Sequence, residues 1–225
     1  MPAEWPPSHD EFFLAESPYR PVFQGDVFRD VPFVKAKFNN SAATNPNTVV
    51  ERRMVAVLGY PCDLYIDGRL AKVQCVAPVI EASKVGIPSN WAGAYTHIPL
   101  PDLTNDGAVY AVSLQATSNV DARYLVRDNR VASLSRFGWA IFRQRLALCS
   151  TRGLFVIEDL DAGGAATWEE LELWTMWCKA GRTESDFPGW LDAQDATLGG
   201  FTRRSAMERG MVTEVRGLLA AELQA

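Results

Sequence analysis

The chain has 225 residues, 48% of them hydrophobic and 22% charged, with a formal net charge of −5. That composition can bury a sizeable core, which excludes a disordered tail, and no run of 18 apolar residues offers a bilayer span. By length it is one domain with additions, or two small ones.

The opening MPAEWPPSHDEFF carries prolines and acids where a secretory leader needs a basic end and an apolar run, so a cytoplasmic protein, not a secreted one, is expected. Residues 1–22 are rich in proline and aromatics, and read as an extended arm instead of a helix because proline fixes φ and removes a donor. Trp5, Phe12, Phe13 and Tyr19 are apolar enough that the arm is expected to lie on its own domain or on a neighbouring subunit. They are the candidate interaction residues.

A β-rich block follows. GDVFRDVPFVKAKF reads as a strand with a proline-interrupted edge. RRMVAVLGY is an apolar run of strand length, and RLAKVQCVAPVI reads as its hairpin partner across YIDG. THIPL, AVYAVSLQA and DARYLV complete a set of five or six short strands separated by turn signals, the pattern of a small barrel. The period then changes to that of a helix over 133–149, capped by Ser133 or Ser135. Arg136 and Arg143 share its polar face and form a possible basic face. Arg145 projects from the apolar stripe and needs an acidic or carbonyl partner, for which Asp63 is the candidate. RGLFVIEDL reads as another extended piece and Gly163-Gly164 as a linker. Thr167 is expected to cap a helix stopped by Gly181, and a last helix runs over 202–223. The fold class is therefore α+β: arm 1–22, barrel with packed helix 23–160, and acidic helical tail 165–225.

Charge is uneven along this order. From Asp161 onward there are 11 acidic and 6 basic residues, which accounts for the whole −5, while 121–152 holds seven arginines against two aspartates. The four cysteines, Cys62, Cys75, Cys149 and Cys178, form no C-x-x-C pair, and His9 and His97 are the two histidines. No metal site or cofactor is expected from that spacing. Glu158, Asp159 and Asp161 read as a solvated acidic turn. Gly59-Tyr60-Pro61-Cys62-Asp63 at a strand end is the densest chemical candidate. A Cys62 nucleophile would need His97 as its base, and a neighbouring Asp63 raises a thiol pKa instead of lowering it.

Gly25-Asp26-Val27, Arg53-x-x-x-Val57 and Val76-Ala77-Pro78-Val79 resemble the successive strand motifs of the MazF/PemK toxin family over residues 23–135. That resemblance implies an SH3-like barrel, and a dimeric endoribonuclease with Arg53 at the family's catalytic arginine. The family's threonine and serine positions fall on Ile80 and Glu81, so a polar partner is lost and a negative charge gained where a phosphate would bind. The resemblance supports the fold and counts against the activity. Separately, VAVLGYPCDLY, KVQCVAPV, HIPLPDL and RVASLSRFGWAIFRQRLALCSTR resemble a group of uncharacterised proteins carried by actinobacteria and their phages, across nearly the whole chain. The expected function is a non-enzymatic interaction or assembly module with protein partners, a homo-oligomer or larger assembly. A phage or mobile-element origin is implied, with a head–tail or capsid-associated place in a virion. The alternatives are a toxin-like ribonuclease using Arg53, with nucleic acid as its partner, and a thiol enzyme built on Cys62.

Overall fold

A computed structural model describes residues 8–15, 19–37, 47–66, 68–87, 94–151 and 157–224, with the backbone alone for 36, 37, 47, 62, 150, 151 and 157–166. Alternation of apolar and polar residues produces two long strands, β1 (Val27–Lys37) and β2 (Asn47–Val57), paired antiparallel from Val27↔Ala56 to Lys37↔Asn47. Between Phe28 and Val31 the register shifts at a bulge, where Asp30 takes a φ of 57° and its carbonyl accepts Arg52 Nη1 at 2.7 Å. A short helix α1 (His9–Phe12) precedes this hairpin, and α2 (Pro61–Leu64) with the two-residue strands β3 (Tyr65–Ile66) and β4 (Arg69–Leu70) follows it.

The sheet is completed by β5 (Val73–Glu81), β6 (His97–Leu100), β7 (Tyr110–Ser113), β8 (Ser118–Asp121) and β9 (Arg130–Ala132). Its order is β6-β7-β5-β2-β1-β9, with β8 paired to the first half of β5. All pairings among the described strands are antiparallel. The path has two ends, so the described strands form an open sheet and not the closed barrel expected from the turn spacing. Closure fails because β9 bonds only Val27 and Phe28 of β1, while β8 bonds β5 alone.

Successive residues point to opposite faces, and both faces are covered at the centre. Val27, Ala56 and Ala77 pack with α3 (Arg136–Thr151), whereas Phe28, Val55 and Val76 pack with Leu64 and Leu125. The C-terminal helices are α4 (Ile157–Lys179), α5 (Phe187–Leu191), α6 (Arg203–Glu208) and α7 (Val212–Gln224). They enclose a second core in which Trp174 stacks on Phe187 and Phe187 on Trp190. Trp168 of α4 belongs to the sheet's core, where it meets Phe23 and Trp139, and Tyr65 joins the sheet to the second core by meeting Trp174.

Several local expectations are corrected. His9–Phe12 is helical, closed by a capping box between Ser8 and Glu11, so this part of the arm is not extended. DARYLV is a 3-10 turn over Ala122–Tyr124 because Asp121 Oδ1 caps Arg123 N at 3.0 Å, and the strand sits just before it. Gly163 and Gly164 are not a linker: α4 runs through them and through Thr167. Two helical glycines cost about 1 kcal/mol each, a deficit that packing against α3 offsets. The last helix is two, broken at Gly210, whose φ is 87°.

Candidate interaction surface

β1 and β2 are 11 residues each, longer than any strand that neighbours them. Among the described residues, β9 covers the outer edge of β1 only at Val27 and Phe28, and β5 covers that of β2 only from Val55 to Val57. Val31 and Phe33 are buried on one face of the hairpin. On the other face Val34 and Val50 lie directly opposite one another and are 45% and 61% exposed. An apolar cross-strand pair normally contributes to a core; here it stands in solvent.

The two free edges differ. The β1 edge carries the devices that block strand addition: the bulge at Arg29-Asp30, Pro32 without a donor, and Lys35. The β2 edge, NTVVERRM, has no proline, lysine or bulge and is rich in β-branched residues. Sequence reading missed this edge. The signal available was the length of the two alternating runs on either side of SAATNPNT.

Most residues singled out from the sequence are engaged within the chain. Arg53 is paired to Glu51 through Nε and Nη2. Ile80 follows the last β2–β5 ladder pair, Val55↔Pro78, in the register that leads to Arg53, and Glu81 is held by Lys84 and Ser83 Oγ. The cation and the acid of the toxin-like motif are thus each neutralised locally. Cys62 lies in α2 with its side chain outside the described residues, and Asp63 is exposed beside it. His97 sits on β6 with Nδ1 3.2 Å from Thr96 Oγ1, and burial lowers its pKa. Arg145 does not pair with Asp63: no ion pair joins them, and burial, offset by nearby Tyr95, lowers the pKa of Arg145. The polar face of α3 is covered and not free, since Arg136 reaches Glu169 at 4.0 Å on α4 and Arg143 lies over the Trp139 ring at 4.7 Å. Glu158, Asp159 and Asp161 fall in α4, not in a turn, with side chains outside the described residues. Among the described residues no three His, Cys, Asp or Glu gather as metal ligands, and no helix is long and apolar enough to cross a membrane.

The arm residues divide. Phe12 and Phe13 are buried in the chain's own core, Tyr19 is exposed with Arg127 over its ring at 5.5 Å, and Trp5 lies outside the described residues. The arm is welded down by backbone bonds from Leu14 to Ser133 and from Ser135 to Phe12. A buried polar cluster secures its end. Arg20 Nη1 donates to the Leu134 carbonyl at 3.1 Å and its guanidinium lies over Trp168 at 4.9 Å. Burial, offset in part by Asp26, pushes the Arg20 pKa down to about 10. Asp26 Oδ2 accepts the Phe23 N–H at 2.9 Å and faces Arg130 Nε at 3.6 Å, an ion pair longer than a hydrogen bond. The Gly-Asp motif is therefore structural: Asp26 anchors the turn, and a Cβ on Gly25 would lie 2.2 Å from Leu134 Cδ1. A scan of protein-family models finds none that matches the chain, and a search of curated proteins finds no match either.

Proposed function

We propose that the protein is a non-enzymatic assembly module whose copies associate through the free edge of β2. The observation that carries this reading is the exposed Val34–Val50 pair beside an edge with no proline, lysine or bulge. Two β2 edges meeting antiparallel form an isologous, closed contact. Centred on Val50, that pairing sets Val50 opposite its own copy, Val49 opposite Glu51 and Thr48 opposite Arg52, so no like charges are directly opposed. Main-chain bonds along the strand supply affinity, and the alternate side chains supply register.

A ribonuclease gains no support from this arrangement, because Arg53 and Glu81 are committed to neighbours of opposite or polar character. The finer fold reading is a partly open SH3-like barrel. It is supported by the 3-10 turns Ala122–Tyr124 and Arg127–Asn129, which link β8 on one side of the sheet to β9 on the other. The resemblance to phage-carried proteins favours an assembly in a virion or other mobile-element particle, and head or terminase genes beside this one would support that context. The mass of the full chain in solution tests the central reading. Wild type is expected at twice 24.9 kDa or a higher multiple, and Val50→Lys at 24.9 kDa. A wild-type monomer, or a Val50→Lys variant of unchanged mass, overturns it.

A further inference from the structure

A cavity of about 290 Å³ opens where the arm, the β unit and the C-terminal helices meet. Its apolar wall includes Phe23, Tyr65, Leu171 and Trp174, and its polar rim holds Glu170, Arg204 and Glu208. Trp174 is 7% exposed, its ring lies 4.6 Å from that of Tyr65, and its indole Nε1 has no hydrogen-bond acceptor among the described residues.

The charge of the rim is negative. Arg204 donates through Nε to Asp192 Oδ1 at 2.7 Å and through Nη1 to Glu170, so two carboxylates already outweigh one guanidinium. Glu208 adds a third carboxylate, with no ion pair among the described residues, and no other basic side chain lines the cavity. Aromatic faces beside an excess of carboxylate favour a cation with an apolar body. At about 30 Å³ for each water-sized atom, the volume holds roughly ten non-hydrogen atoms.

We propose that this cavity is a binding site for a small amphipathic organic cation, its ring against the aromatic wall formed by Tyr65 and Trp174 and its ammonium towards Glu170 and Glu208. The three walls come from segments distant in sequence, so an occupant ties the arm and α2 to α4 and α6. The site is independent of the β2 edge.

Calorimetric titration of the full chain with three probes of one shape tests this: tyramine, neutral tyrosol and anionic 4-hydroxyphenylacetate. Tyramine is expected to bind one to one and raise the melting temperature, with tyrosol about tenfold weaker and the anion weaker still. Glu208→Gln, at an exposed position, should weaken tyramine severalfold and leave tyrosol unchanged. Trp174→Phe reduces the aromatic wall of the cavity, and should weaken both. The proposal is overturned if no probe saturates by about 10 mM, if the three bind alike or the anion binds best, or if Glu208→Gln leaves tyramine affinity unchanged. Should Trp174→Phe not fold, the Glu208 variant decides alone.

Discussion

Replacing Gly138 with alanine sets a helix-propensity gain against a collision, and the collision should win. In the first turn of α3 the exchange alone would stabilise by at most about 1 kcal/mol. The new Cβ, however, would lie 2.2 Å from the Phe12 carbonyl oxygen and 3.1 Å from its carbon, both backbone atoms. To reach ordinary contact the carbonyl must retreat to at least 3.4 Å. That breaks the bond from Ser135 N to Phe12 O, now 2.9 Å, and strains the contact of Ser135 Oγ with the Glu11 carbonyl at 2.5 Å. The lost hydrogen bond costs about 1 kcal/mol, and lifting Phe12 and Phe13 from the core costs about 1.5–3 kcal/mol each. With partial relief by relaxation, the net loss is roughly 2–5 kcal/mol, a fall in melting temperature of roughly 5–15 °C. Calorimetry measures the fall, and limited proteolysis should show new cleavage near residues 8–15. Gly217→Ala in α7, where an added Cβ meets nothing within 4 Å, is the control and should be stabilised by up to about 1 kcal/mol. A Gly138→Ala protein as stable as wild type, with an equally protected arm, would refute the docking described.

Asp26→Asn should destabilise by about 3–5 kcal/mol in denaturant titration, since it strips the carboxylate from Arg20 and Arg130 in a buried setting; a change under about 1 kcal/mol would show the cluster to be solvated. Double-mutant cycles of Asp63→Ala with Arg145→Met should be additive within about 0.5 kcal/mol, and a larger coupling would restore the ion pair that the fold does not form. His97 has a folded pKa below the ordinary 6.5, so as the pH falls below that value the unfolded chain takes up the proton first and stability drops. His97→Gln should remove this part of the acid sensitivity, and an unchanged pH profile would place the ring in water.

The strands legible in the sequence were those with strong alternation or an apolar run: β1, β2, β5, β6 and β7. Helix α3 was equally legible, and Ser135 does cap it, its Oγ accepting the Gly138 N–H at 2.9 Å. What escaped were elements held by context. Three-residue β9 exists because Val27 offers it an edge, and α4 continues through two glycines because α3 lies against it. The arginine-rich stretch looked like a surface because charge counts carry no partners. Arg130 is instead tied to Asp26 and to the Arg20 carbonyl at 2.8 Å, and Arg136 to Glu169. Phe12 and Phe13 of the arm are buried, but composition could not distinguish the chain's own core, where they lie, from a neighbour's surface, nor single out Tyr19 as exposed.

Amide hydrogen exchange across Thr48–Met54, followed over protein concentration, tests the proposed edge most directly. Pairing of β2 with a second β2 predicts that alternate amides of this segment become protected as concentration rises, and that Val50→Lys abolishes the effect. Exchange independent of concentration, or protection that rises elsewhere while this edge stays open, would contradict it.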